Sequence, residues 1–406
     1  MRILFLHKQI LFPRDTGGKI RALNVLKHLA RWHDVTYVSN LRPGEEEHLP
    51  AMEALGLRMS TVPGTTSRRG GLRFYAEAAA GVASSDPFTI TRNYDPAVRA
   101  RVAELLAAEP FDLIICDTIV MARHVIGLPG PARILFQHNV EAQILRRHAE
   151  VAPGRLKRWY MRRQYDKMVR FERDCGRHFD AVIAVSEQDK VQFEREYGWP
   201  NVHAIDTAVD EEFFRSDPAG EVTGRVTFLG SMDWMPNQDG VRWFVRDVWP
   251  QVRDRSPTAT FHVVGRNPPP DVRALEKTTG VHVLGGVPDV RPHLAETSVF
   301  VVPLLVGGGT RLKIYEAMAS GRAVVSTTIG AEGLPVVPGE HYLAADRPDV
   351  FATAVADLLG DADRRGRIAR AADTFVRGRY GSEPVARQFE AICRAVVTAG
   401  RSARPA

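Results

Sequence analysis

The chain has 406 residues, 44% of them hydrophobic and 25% charged, with a formal net charge of +6. Its length suggests two cores rather than one, and its composition excludes a disordered or membrane-spanning protein. The basic balance favours phosphate-bearing partners (nucleotides, nucleic acid or an anionic membrane face) without choosing among them.

The N-terminal MRILFLHKQILFPRD is apolar but is interrupted by His7 and Lys8, so it reads as a first buried strand rather than a signal peptide. No later stretch is long and apolar enough to span a bilayer, so membrane association is expected to be peripheral. Cys116, Cys175 and Cys393 have neither metal-ligand nor redox spacing and point to a reducing cytoplasm.

Short aliphatic runs then alternate with helical periodicity, the pattern of parallel sheets covered by helices. Strands are expected at Arg2–Leu6, Val35–Ser39, Leu113–Cys116, Arg133–Gln137 and Ala181–Val185, with a long basic helix over Arg155–His178. A second series follows at Val226–Leu229, Thr260–Val264, His282–Leu284, Val299–Val302 and Ala323–Ser326. Helices are expected at Asp239–Asp254, Arg311–Ala319 and Asp349–Leu359. The fold class is therefore α/β, with two Rossmann-like domains of parallel sheets flanked by helices and a ligand cleft between them. The expected boundaries are an acceptor-side domain over 1–205, a linker over 206–224 and a donor domain over 225–380. Residues 381–406 form a C-terminal helix crossing back to the first domain, then a polar tail.

The strongest chemical signal is VVPLLVGGGTRLKIYEAMASGRAVVST, Val301–Thr327. A strand runs into Gly307-Gly308-Gly309, and Thr310 is placed to cap the helix that follows. Free N–H groups and the positive end of that helix suit a diphosphate. Arg311 and Lys313 place two cations in the first turn, where a helix ordinarily disfavours them, which is the kind of local conflict found at functional sites. Glu316 is either a carboxylate accepting ribose hydroxyls or the partner of Lys313 in an i,i+3 pair on a solvated face.

This segment resembles the donor-binding motif of the GT4 family of retaining glycosyltransferases, which have the two-domain GT-B fold. Glu316-Ala317-Met318-Ala319-Ser320-Gly321-Arg322-Ala323-Val324-Val325 matches the second half of the family's E-x7-E pattern and the residues after it. Gly308 stands where the first Glu of that pattern is expected, as in the G-G-G-T-R-L-K-I variant, leaving the backbone amides of Gly308 and Gly309 to replace the carboxylate.

Other segments carry the resemblance along most of the chain. Asp15–Ala30, with Gly17-Gly18, is similar to the N-terminal glycine loop that approaches the diphosphate and the acceptor; a plain strand-to-helix turn is the alternative. Phe136–Ala142 places His138 at a strand end, where the family contacts the donor sugar. Ala181–Glu187 resembles the strand and turn beside the hinge. The stretches VGRNPPPDV and GGVPDV resemble the parts flanking the base pocket, with the backbone of Val287 as the expected nucleobase partner. The loop Phe228–Gly240, which includes Gly230, lacks the Arg and Lys found there in many members. The phosphate charge then falls to Arg311, Lys313 and Arg266, while Asn237 either adds a neutral hydrogen bond or, like Asp239, caps a helix.

The run Arg155–Arg173 alternates cations with Trp159, Tyr160, Met161, Tyr165, Met168 and Phe171. As a helix it either packs its apolar stripe on its own domain or meets an anionic lipid surface. Nucleic-acid binding lacks an accompanying motif. Asp361-Ala362-Asp363 reads as a turn or helix cap, and no metal site is assigned.

The resemblance implies a retaining, metal-independent transfer from a UDP- or GDP-type sugar to a hydroxyl acceptor, a glycan, lipid-linked sugar or small molecule, in glycan or glycolipid synthesis, with no cofactor. The expected location is the cytoplasm, peripheral at the inner face of the membrane. Rival readings are a nucleotide-sugar epimerase and a non-catalytic nucleotide-sugar scaffold. A dinucleotide oxidoreductase lacks its G-x-G-x-x-G after the first strand.

Overall fold

A computed structural model describes residues 1–14, 16–64, 72–151, 154–306 and 312–402. The chain separates into two units, Met1–Thr207 with Val385–Ala406, and Ala208–Pro384.

The sheet of the first unit contains β1 (Arg2–Leu6), β2 (Asp34–Leu41), β3 (Arg58–Pro63), β4 (Leu113–Asp117), β5 (Ala132–Gln137), β6 (Ala181–Ala184) and β7 (Val202–Ala204). Their order is β3-β2-β1-β4-β5-β6-β7, with every neighbouring pair parallel. The sheet of the second unit contains β8 (Arg225–Leu229), β9 (Thr260–Val264), β10 (Val281–Gly285), β11 (Val299–Val302), β12 (Ala323–Ser326) and β13 (Leu343–Ala344). Its order, β10-β9-β8-β11-β12-β13, repeats the same winding, again wholly parallel. In each sheet the direction of winding reverses beside the first strand, between β1 and β4 and between β8 and β11. Ligands of such sheets bind at the carboxyl ends of the strands flanking that point.

Central strands are apolar on both faces because helices cover both. LIICD of β4 is buried throughout, as are VFVV of β11 and AVVS of β12. Strands β3, β7 and β13, absent from the sequence expectation, all lie at sheet edges. Arg58–Pro63 alternates exposure and burial, while β7 and β13 are three and two residues long. None forms an aliphatic run.

The helix expected at Asp239–Asp254 starts earlier, at Met235, and passes through a π-helical turn at Phe244–Val248 before Trp249–Arg255. Pro250 lies just inside the last segment and has no N–H to continue the preceding ladder. Asp361 caps a helix at Ala362–Arg379, accepting from the Arg364 N–H at 2.8 Å.

Residues in the stretch expected as a linker are tied into the second unit. The Val209 N–H bonds to Tyr380 O, and Ser216 Oγ donates to Ser320 O at 2.6 Å. The helix Ser382–Ser402 packs largely on the first unit. Phe389 meets Phe136 edge-on at 5.0 Å, Glu390 lies 3.0 Å from His33, and Arg387 stacks over Trp32.

The basic helix spans Arg155–Cys175. Its C-terminal half packs Tyr165, Met168, Val169 and Phe171 on the core of the first unit. Lys167 is buried there, and its ammonium caps the C-terminal end of the helix Leu72–Ala83 by donating to Gly81 O, Val82 O and Ser84 O. At the other end Leu156 and Trp159 are 78% and 51% exposed, so the stripe is not packed along its whole length. Among the described residues no helix is long and apolar enough to cross a membrane.

Candidate functional site

In the first unit three polar side chains gather at the carboxyl ends of the adjacent strands β1, β4 and β5. His7 follows β1, Asp117 ends β4 and His138 follows β5. Asp117 Oδ1 lies 2.9 Å from His138 Nε2, and Oδ2 lies 3.8 Å from His7 Nε2. All three groups are buried, yet neither Asp117 oxygen has an aligned hydrogen-bond donor among the described residues. Burial holds the His7 pKa below its usual value against the pull of Asp117. His7 Nδ1 is 2.6 Å from the Gln9 carbonyl, which can only accept. A buried carboxylate between two imidazoles is costly to stability where no aligned donor offsets its desolvation.

The backbone around Asp117 is also constrained. Thr118 has φ +69°, rare for a β-branched residue, with its N–H bonded to Phe136 O at 2.8 Å. The Gln137 side chain accepts from the Ile119 N–H at 2.8 Å. Gly18, in the first turn of the helix Gly17–Trp32, abuts His138, since a Cβ there would lie 3.4 Å from the ring Nδ1. Gly17 faces open space. Arg21 NH1 reaches His138 O at 3.5 Å.

His138 also precedes a tightly held turn. The buried Glu172 carboxylate accepts from the Glu141 and Ala142 N–H groups at 2.9 and 3.0 Å, and from the Tyr197 hydroxyl at 2.8 Å. Burial pushes the Glu172 pKa up to about 7 in spite of these donors. Glu172 thus pins the start of the helix Glu141–Val151.

In the second unit the helix Leu312–Ala319 carries Lys313 and Glu316. The Lys313 ammonium donates to Asn237 Oδ1 at 2.8 Å and lies 4.5 Å over the Phe228 ring. Phe228 is in β8 and Gly230 just beyond it, so the adjacency of β8 and β11 sets this meeting. A Cβ at Gly230 would come within 2.7 Å of both Lys313 Nζ and Asn237 Nδ2, so any side chain there would displace the ammonium.

Asn237 does not cap its helix, as one reading of the sequence had it. Trp234 occupies the N-cap position, and Asn237 lies inside the helix Met235–Trp243 with Nδ2 donating to Ser231 O at 2.7 Å. Asp239 pairs with Arg242 at 2.8 Å rather than capping.

Glu316 is half-buried and its carboxylate has no hydrogen-bond partner among the described residues. Burial pushes its pKa up to about 7, with Lys313 pulling the other way. The i,i+3 surface pair does not form, because Lys313 turns to Asn237 and Phe228.

Arg266 follows β9 and is engaged by acidic and hydroxyl groups, with Nε 3.1 Å from Asp233 Oδ2 and 3.2 Å from Ser231 Oγ. Asp233 also accepts from Asn267, the leading cause of its lowered pKa. The backbone N–H and C=O of Val287, in the loop after β10, bond to none of the described residues. Gly308, Gly309, Thr310 and Arg311 lie outside the described residues. Within the latter no cluster of three or more potential metal ligands occurs.

Sequence reasoning missed Asp117, His7 and Glu172. Asp117 and His7 each end or follow a buried strand, a signal that was present. Glu172 lies in the last turn of a helix rich in cations, with nothing local to mark it.

Residues 16–213 match the family model described as Glycosyltransferase Family 4, and residues 223–361 match Glycosyl transferases group 1. A 44.6 kDa protein of the cps region of Klebsiella pneumoniae is 22% identical over 71% of this chain and 75% of its own length. Phosphatidyl-myo-inositol mannosyltransferase of Mycobacterium tuberculosis is 30% identical over 43% of this chain, a match spanning 48% of that enzyme. The fold is similar to that of Anabaena Alr3699/HepE in complex with UDP-glucose, with a TM-score of 0.63 at 14% identity over 97% of this chain and all of that one. With a glycosyltransferase model on each half and this fold over its length, the chain is a glycosyltransferase of the GT-B type.

Proposed function

We propose that the protein transfers a sugar from a nucleoside-diphosphate sugar, UDP- or GDP-linked, to a hydroxyl acceptor with retention of anomeric configuration and without a divalent metal. The observation that carries this reading is Lys313, held by Asn237 over Phe228 beside the bare backbone of Gly230. An ammonium so placed neutralises charge developing on a leaving diphosphate, the task a metal performs elsewhere. Arg311 and the amides of Gly308, Gly309 and Thr310 add to it, with Arg266 as a further cation. Glu316, whose carboxylate has no hydrogen-bond partner among the described residues, accepts from the ribose hydroxyls, and the Val287 backbone pairs with the base. His138, positioned by Asp117, orients the donor sugar.

In the reaction the anomeric C–O bond to the diphosphate breaks through an oxocarbenium-like state. The acceptor oxygen bonds to the same face, and its proton passes to the departing phosphate, so no protein carboxylate acts as nucleophile. The acceptor is a glycan or lipid-linked sugar, consistent with the cps-region relative and with the lipid named for the mannosyltransferase. Arg155, Lys157, Arg158, Arg162 and Arg163 flank the exposed Leu156 and Trp159, which suits peripheral contact with an anionic membrane at its cytoplasmic face.

Screening nucleotide-sugars for thermal stabilisation identifies the donor. With that donor, nucleoside diphosphate should be released on adding a hydroxylated acceptor in excess chelator, and NMR should show the anomeric configuration preserved. An inverted product refutes retention, and complete inhibition by chelator refutes the charge argument. Interconversion of the sugar without acceptor points instead to an epimerase. His138→Ala should lower turnover far more than affinity for the bare diphosphate; equal losses would make His138 a phosphate or scaffold residue.

A further inference from the structure

The second unit has another basic cavity, at the opposite end of its sheet. It opens where β12 begins and where the helix Leu312–Ala319 ends, and it encloses about 430 Å³. Five arginines line it: Arg215, Arg322, Arg365, Arg370 and Arg377. Two acids, Glu221 and Asp373, share the lining, leaving three positive charges in excess.

Three of the arginines form a fixed wall. Arg322, only 2% exposed, donates to Ser216 Oγ, Asp217 O and Thr297 O and lies 3.4 Å from Glu221. Arg365 takes the other Glu221 oxygen at 2.6 Å. Arg377 pairs with Asp373 at 2.6 Å and donates to Ala319 O at 2.8 Å. These contacts occupy both acids. Arg215 and Arg370 remain, and neither guanidinium bonds to any of the described residues.

Solvated surface arginines are common, but here the two without partners face a concave wall already positive and already braced. A cation-rich wall of this kind is unfavourable unless an anion is bound. Guanidinium groups present paired N–H donors that match phosphate oxygens, which a set of lysines would not. The volume falls within the roughly 300–1,000 Å³ of small-molecule sites.

We infer that this cavity binds a small phosphorylated metabolite through its phosphate, with Arg215 and Arg370 as the ligating residues. The site is separate from the donor-binding residues, and its occupation requires no nucleotide-sugar.

Isothermal titration with glucose 6-phosphate, inorganic phosphate and uncharged glucose, at fixed ionic strength and with saturating UDP, tests the assignment. Glucose 6-phosphate and phosphate should bind and glucose should not. Arg215→Ala/Arg370→Ala should weaken glucose 6-phosphate by tenfold or more, whereas Lys313→Ala should leave it unchanged. Both arginines are exposed, so the double variant should fold, which circular dichroism checks. No binding by either phosphate, or binding that survives the double substitution, overturns the inference. Because the readout is affinity under UDP, its failure would leave the glycosyl-transfer reading untouched, and the reverse also holds.

Discussion

The two units solve the placing of charge in opposite ways. At the strand ends of the first, His7, Asp117 and His138 are buried against one another, and the turn after His138 is pinned by Glu172. At the strand ends of the second, Lys313 has a neutral amide and an aromatic face as its described neighbours, and Glu316 has a carboxylate with no described hydrogen-bond partner. The first arrangement fixes geometry before any ligand arrives, at a cost in desolvation. The second sets charge beside a neutral amide and an aromatic ring. Groups of the first kind should therefore couple to folding, and groups of the second kind to binding and rate.

The largest effect expected is on the second unit. Lys313→Ala should lower kcat by roughly 100- to 1,000-fold, about 3–4 kcal/mol, with little change in the unfolding midpoint. A loss of stability of similar size would erase the contrast between the units. Glu172 tests the converse. Its pKa is raised from 4.5 to about 7, so the folded chain holds that proton more tightly than the unfolded one. The resulting stabilisation is fully present below about pH 4.5 and is lost as pH rises toward 7, on the order of 3 kcal/mol. Urea titrations across this range should show the slope in the wild type and a shallower one in Glu172→Gln, with Glu316 and its similar pKa leaving part of it.

Asp117→Asn sharpens the comparison further. Removing a buried charge that lacks aligned donors should leave stability unchanged or raise it by ~1–3 kcal/mol, while turnover falls because His138 loses its orienting partner. Lower stability without lower turnover would make Asp117 a structural residue. Nucleotide affinity should rise from pH 6 to 8 as Glu316 ionises, by more in the wild type than in Glu316→Gln, the difference separating the carboxylate from the ligand's own titration. The smallest effect belongs to Trp159→Ser, which should shift stability by no more than ~0.5 kcal/mol yet reduce binding to vesicles containing anionic lipid.

How much of this was legible depended on the range over which each residue acts. The bounds of β1, β11 and β12 follow from aliphatic runs, because a strand covered on both faces is apolar along nearly its whole length. Edge strands such as β3 need only one apolar face and leave a fainter pattern. Lys313 stood out because it puts a cation in the first turn of a helix, and Glu316 because it is a carboxylate one turn further on in the same short motif. Asp117 reaches His138 across 21 positions and Glu172 reaches Glu141 across 31, distances over which no periodicity speaks. The pairing of Lys313 with Asn237 spans 76 positions and depended on β8 and β11 being neighbours.

The return of the final helix to the first unit has a consequence for biosynthesis. Residues 208–384 are, in effect, an insertion into a body whose segment from Val385 onward leaves the ribosome after the second unit. Until then Phe136, His33 and Trp32 await Phe389, Glu390 and Arg387. The second unit is contiguous and is completed while the first still lacks its closing segment, so the usual N-to-C order of maturation is inverted. A stop codon only a few residues beyond Pro384 would therefore leave the distal body intact and the proximal one unfinished.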